Sequence, residues 1–114
     1  MLALDRIYHA AYVLKGVARK TDLIAAPHLV SGMEDLYLKT ENLQVTGSFK
    51  LRGASYKISQ LPKGDLERGI IACSAGNHAQ GVALAATHMG VRSIVCMPDG
   101  APIMKVESSR RLGA

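Results

Sequence analysis

Two short apolar runs, Gly69-Ile70-Ile71-Ala72-Cys73 and Val91 to Met97, flank a segment of small residues, Asn77 to Met89, that closes on Gly90. Short continuous apolar runs suit strands covered on both faces, and the segment between them has helical length with a glycine stop. A strand, a helix and a second strand at this interval predict a parallel pair joined by a right-handed crossover. Both strands are expected to be buried, and Cys73 and Cys96 with them. A loop from Pro98 to Pro102 leads to a last predicted helix, Ile103 to Leu112, ended by Gly113. The rhythm is that of an α/β fold, an open parallel sheet with flanking helices.

The first half of the chain is less regular. Leu4, Ile7, Tyr8, Ala11 and Leu14 recur at helical spacing and predict an amphipathic helix over Leu4 to Val17. Thr21 to Gly32, with Pro27 and Ser31-Gly32, reads as irregular, and Asp35 to Thr40 as a short strand. Ser48 is a candidate N-cap for a helix to about Gln60, stopped by Pro62, with Pro62-Lys63-Gly64-Asp65 as a turn. The sequence ends at Gly113-Ala114, where an α/β rhythm would enter its next strand. Two βα units leave an open sheet edge, so the expectation is part of a larger design.

The net charge is +5, but the basic residues are dispersed and no basic run is interleaved with aromatics. Nucleic acid is therefore not an expected partner, whereas a small anion is compatible. Two cysteines taken as buried, no basic-then-hydrophobic leader and no apolar run of spanning length give the expectation of a cytoplasmic protein with no membrane partner. His9, His28, His78 and His88 lack metal-ligand spacing, and Met33, Met89, Met97 and Met104 are expected as core filler or boundary residues.

Chemistry concentrates at two places. Lys50 follows a Gly-Ser turn at the predicted start of a helix, where unpaired N–H groups and the helix dipole disfavour an ammonium. Such a lysine should lose its proton more easily and serve Schiff-base chemistry. The plainer alternative is one of fourteen solvated basic residues. The loop Ser74-Ala75-Gly76-Asn77-His78-Ala79-Gln80-Gly81 lies at the carboxyl end of a strand, where open parallel sheets place ligands, and opens a helix suited to an anion. The alternative there is a tight turn capped by Asn77. Gly76 and Gly81 have Walker A spacing, but Val82 and Ala83 stand where Lys and Ser/Thr belong, which disfavours a nucleotide.

Together, Ser48-Phe49-Lys50-Leu51-Arg52-Gly53-Ala54 and Ser74 to Gly81 resemble the two N-terminal signatures of the threonine/serine dehydratases, pyridoxal-phosphate enzymes of the tryptophan-synthase-β fold group. Lys39-Thr40-Glu41-Asn42-Leu43-Gln44, Met97-Pro98, Ala101-Pro102 and Lys105-Val106 match in the same order. The resemblance runs over nearly the whole chain from about Leu4. It implies that Lys50 holds pyridoxal phosphate through its amine and later takes the substrate α-proton. It implies that Phe49 lies against the cofactor ring and that Asn77 hydrogen-bonds the ring oxygen. Ser74, with the backbone amides of Ala75, Gly76, Asn77 and His78, would hold the substrate carboxylate. Racemases of the family typically carry serine where this chain has Ala75, so the resemblance favours dehydration.

The implied reaction is dehydration and deamination of threonine or serine to a 2-oxo acid and ammonia, in a homo-oligomer. Two departures accompany it. Thr21-Asp22-Leu23 stands where the family usually has Thr-Pro-Leu, and family members are longer. Their glycine-rich phosphate-binding loop lies beyond the position of Ala114. By the family layout residues 1–44 belong to a large domain and 45–114 form most of a small domain carrying the lysine and the substrate loop. The expectation is an inactive N-terminal part of such an enzyme. The competing reading is a non-catalytic module that binds a small anion or self-associates.

Overall fold

A computed structural model describes residues 3–114. In chain order these form α1 (Leu4–Val13), β1 (Leu23–Ala25), β2 (Tyr37–Lys39), a 3-10 turn (Glu41–Leu43), α2 (Lys50–Ser59), α3 (Lys63–Arg68), β3 (Ile70–Cys73), α4 (Asn77–His88), β4 (Ser93–Cys96) and α5 (Ile103–Arg111). The α/β character and the parallel pair agree with the expectation. β3 and β4 run side by side in register from Ile70 opposite Ser93 to Cys73 opposite Cys96.

The core is the seam between α2 and α4. Leu51, Ala54 and Ile58 on α2 meet Val82, Ala85 and Ala86 on α4, and Ile70 and Ala72 of β3 pack from the side. The spacings 51, 54, 58 and 82, 85, 86 are those of single helical faces. Alanines dominate the α4 face, so the two helices approach closely. Leu51 is the largest side chain wholly removed from solvent.

Several expectations need correcting. The two strands are covered on one face only. Ile70 and Ala72 turn toward the core, while Ile71, Cys73, Ile94 and Cys96 alternate onto a face left open among the described residues. Cys73 and Cys96 are accordingly exposed free thiols, not buried ones. The inference of a reducing compartment from buried cysteines loses its basis. Met33, Met89 and Met104 are also exposed and do not fill the core.

The stretch from Thr21 to Gly32 is not irregular throughout. Leu23–Ala25 pairs antiparallel with Tyr37–Lys39, Ile24 opposite Leu38. A three-residue strand is too short to carry a period, so its partner decides it. Helix α1 ends at Val13 rather than Val17, and its stripe of Leu4, Ile7 and Tyr8 is exposed. Residues Lys63–Arg68 form a short helix, α3, where a turn was expected. Pro62, just ahead of it, has a φ of −58°, and the carbonyl of Pro62 accepts hydrogen bonds from the amides of Asp65 and Leu66.

Candidate active site

Lys50 is the first residue of α2, as the sequence predicts. The turn before it uses Gly47 at φ +70°, a left-handed conformation that glycine adopts at little cost. The cap differs from expectation. Phe49, not Ser48, is the boundary residue, and no side chain caps the helix. Ser48 is instead buried, and its Oγ has no hydrogen-bond partner. The amides at the head of α2 therefore keep no side-chain acceptor. The Lys50 ammonium lies 4.8 Å from the centre of the exposed Phe49 ring.

Phe49, Lys50 and His78 line one groove of about 650 Å³, floored by Ala54, Ile58 and Val82. The groove thus joins the head of α2 to the first turn of α4. Ser74, Ala75, Gly76 and Asn77 do not line it; they form the turn at the carboxyl end of β3 that leads into α4. The Gly76 amide donates to the Ser74 hydroxyl at 3.3 Å. Gly76 is the boundary residue of α4, so Asn77 does not cap it. No acid lies in the first turn of α4, which leaves that helix end favourable for an anion.

Asn77 is tied elsewhere. Lys105 on α5 donates from Nζ to Asn77 Oδ1 at 2.9 Å. An ammonium only donates, so this contact assigns the amide: its oxygen faces Lys105 and its NH2 points away.

A further group lies behind Lys50. Arg52 donates to both carboxylate oxygens of Glu41, from Nε and Nη2, each at 2.8 Å. Thr21 Oγ1 also donates to Glu41, and Arg52 Nη2 reaches the Arg19 carbonyl at 2.9 Å. Above all the hydrogen bonding from Arg52, helped by Thr21, holds the Glu41 carboxyl down to a pKa of about 2, although partial burial works against this. The same contact raises Arg52. The buried Gln44 completes the cluster, accepting from the Arg19 amide at 2.7 Å and donating to its carbonyl at 3.0 Å.

Three of these groups carried no assigned role in the sequence reading: the Glu41–Arg52 pair, Lys105 and Gly81. The first two join residues eleven and twenty-eight positions apart, for which no local spacing rule exists. Gly81, inside α4, brings that helix against the Lys50 backbone, 3.0 Å from where a Cβ would stand, whereas the sequence shows it only at Walker A spacing from Gly76.

The profile of the family described as pyridoxal-phosphate dependent enzyme matches residues 14–114, and the chain belongs to that family. It is 49% identical, over its full length, to the L-threonine ammonia-lyase of Thermotoga maritima, of which it covers 29%. It is 44% identical to the L-threonine dehydratase catabolic TdcB of Staphylococcus aureus, covering 34% of it. The serine racemase of Dictyostelium discoideum superposes with a TM-score of 0.85 at 32% identity, over 99% of this chain and 38% of that one. The chain thus spans about a third of the length of these relatives. The chain matches part of the fold of this enzyme group, as the resemblance implied. Among the described residues, no helix is long and apolar enough to cross a membrane.

Proposed function

We propose that the protein acts in the pyridoxal-phosphate-dependent dehydration and deamination of L-threonine, or of L-serine, giving 2-oxobutanoate or pyruvate and ammonia. The observation that carries this reading is Lys50 itself. Its amine stands at an uncapped helix head, beside an exposed aromatic ring, in a groove shared with the first turn of α4. The full-length identity to an L-threonine ammonia-lyase supports the same chemistry.

The residues present suit the cofactor. Lys50 supplies the amine that holds it, and Phe49 a flat apolar surface for its ring. The Asn77 NH2, turned away from Lys105, is free to donate to the ring oxygen. Pyridoxal phosphate, when bound, supplies an electron sink for the negative charge left by loss of the α-proton. With its amine free, Lys50 would take that proton, the β-hydroxyl would leave as water, and a water would later release the 2-oxo acid and ammonia. The Ser74 hydroxyl and the amides of Ala75, Gly76, Asn77 and His78 bind and orient the substrate carboxylate at the head of α4, where the helix dipole favours it. Ala75 presents no hydroxyl, which leaves no acid there to return a proton to the opposite face and so favours elimination over racemisation.

In this reading residues 45–114 make most of a small domain bearing the lysine and the substrate loop, and 1–44 belong to a large one. The active form is a homo-oligomer. These 114 residues carry Lys50 and the substrate loop and span about a third of the length of the relatives. The test is incubation with pyridoxal phosphate, reduction with borohydride and peptide mass spectrometry, alongside an assay of 2-oxobutanoate from threonine. A reduced adduct on Lys50 is expected. An adduct spread over exposed lysines would sink the assignment. Self-association without any adduct would favour the non-catalytic module, to which the open face of Ile71 and Ile94 lends support.

A further inference from the structure

The groove explains what Lys50 can reach, but not what holds the first turn of α2 in place. Lys50 and Arg52 are two residues apart, so they leave the helix about 200° from each other. Lys50 faces the groove, and Arg52 faces back toward the Arg19–Thr21 segment and the Glu41–Leu43 turn. The contact there is a two-pronged fork, with the carboxylate also taken by Thr21 and the guanidinium also by the Arg19 carbonyl. The side chains are 33% exposed for Arg52 and 15% for Glu41, so water competes weakly. A fork of this kind fixes orientation as well as distance, which a lysine in place of Arg52 could not do. Gln44 ties the same turn to Arg19 independently, so the anchor to which Arg52 is bound is itself held.

We infer that Glu41 and Arg52 are positioning residues for Lys50: the pair sets the direction of the first turn of α2 and thereby the place of the amine. This rests on Lys50 being the cofactor lysine, as proposed above. Neither residue lines the groove, and their hydrogen bonds are made to each other, to Thr21 and to the Arg19 carbonyl.

Lys57 supplies an internal control. It lies two turns along the same face of α2, lines the same groove and takes no part in the fork, whose guanidinium is five residues before it. The experiment uses the full chain with Arg52→Lys, which keeps the charge but not the fork, and with Glu41→Gln. Each is held at a temperature where circular dichroism matches the wild type. Two readouts are taken by peptide mass spectrometry: the ratio of Lys50 to Lys57 in trace acetylation, and the yield of borohydride-reduced pyridoxal phosphate on Lys50. The expected result is a several-fold change in the acetylation ratio and a roughly tenfold drop in the Lys50 adduct, with Lys57 acetylation unchanged. Wild-type values for both readouts in Arg52→Lys would overturn the inference. So would Lys50 and Lys57 acetylation changing together, since that is general loosening of the helix. If the wild type forms its adduct elsewhere, the functional reading fails, and the acetylation ratio still decides whether the fork positions Lys50.

Discussion

A Cβ placed on Gly81 would lie 3.0 Å from the carbonyl carbon of Lys50 and 3.1 Å from its oxygen, with the Leu51 amide nitrogen at 3.2 Å. α4 therefore rests on the backbone of the lysine itself, and no side chain is available there to move aside. Gly81→Ala should gain up to about 1 kcal/mol of helix propensity and lose more through overpacking, for a net loss of about 1–2 kcal/mol. Gly53, in α2, meets nothing within 4 Å of the same added atom. Gly53→Ala should stabilise by roughly 0.5–1 kcal/mol. Urea unfolding of the two variants checks this: their midpoints should move in opposite directions.

The Glu41 fork makes stability depend on acid. The folded carboxyl has a pKa of about 2, below its ordinary value of 4.5. The folded state therefore prefers the charged form, and this contribution is complete above pH 4.5 and lost as pH falls toward 2. Glu41→Gln should lose about 1–3 kcal/mol at neutral pH, where a charged hydrogen-bonded pair is broken. Its stability should also fall less steeply between pH 4.5 and 2 than that of the wild type. Urea midpoints measured across that range test it; parallel curves would show that Glu41 does not carry the acid dependence.

The parts of the fold set by local pattern were legible, and the parts set by long-range partners were not. Apolar runs and a glycine stop were enough to place Ile70–Cys73, Asn77–His88 and Ser93–Cys96. Burial of Cys73 and Cys96 was misjudged because an apolar run records that a strand can be covered, not that both faces are. Lys50 at a helix head was legible from Gly47-Ser48, yet its cap was not, because Ser48 turns inward instead of onto the helix end. The fork and the Asn77 contact depend on how distant segments meet, which no spacing in one sequence encodes.

Lys105 fixes which way the Asn77 amide faces. Lys105→Met removes the donor and lets the amide turn over. Affinity for pyridoxal phosphate should then fall by roughly 5–10-fold, the effect of about one hydrogen bond. Absorbance titration with the cofactor measures it. Asn77→Asp should be worse, because it keeps the Lys105 contact but has no NH2 to donate.

Cys73 and Cys96 sit opposite each other at the carboxyl ends of β3 and β4, both exposed and unpaired in a disulfide. Both thiols of the native chain should react with a thiol reagent without denaturant, at rates near those of the unfolded chain. Reaction only after unfolding would mean that the face they share is covered in solution.

Two large apolar side chains within this small fold should respond very differently to substitution. Leu51 is 0% exposed and lies in the α2–α4 seam, whereas Ile71 is 69% exposed on the open face of β3. Truncating Leu51 to alanine removes buried methyl groups and leaves a cavity against Val82 and Ala86, a cost of about 2–5 kcal/mol. Ile71→Thr keeps the β-branch that suits a strand and gives up little burial, so the change should stay within about 0.5 kcal/mol. Urea midpoints of the isolated variants separate the two. The same Ile71→Thr change should reduce binding of a hydrophobic dye, because it removes apolar surface from the open face. A loss at Ile71 comparable to that at Leu51 would mean that β3 is covered on both sides, as its sequence first suggested.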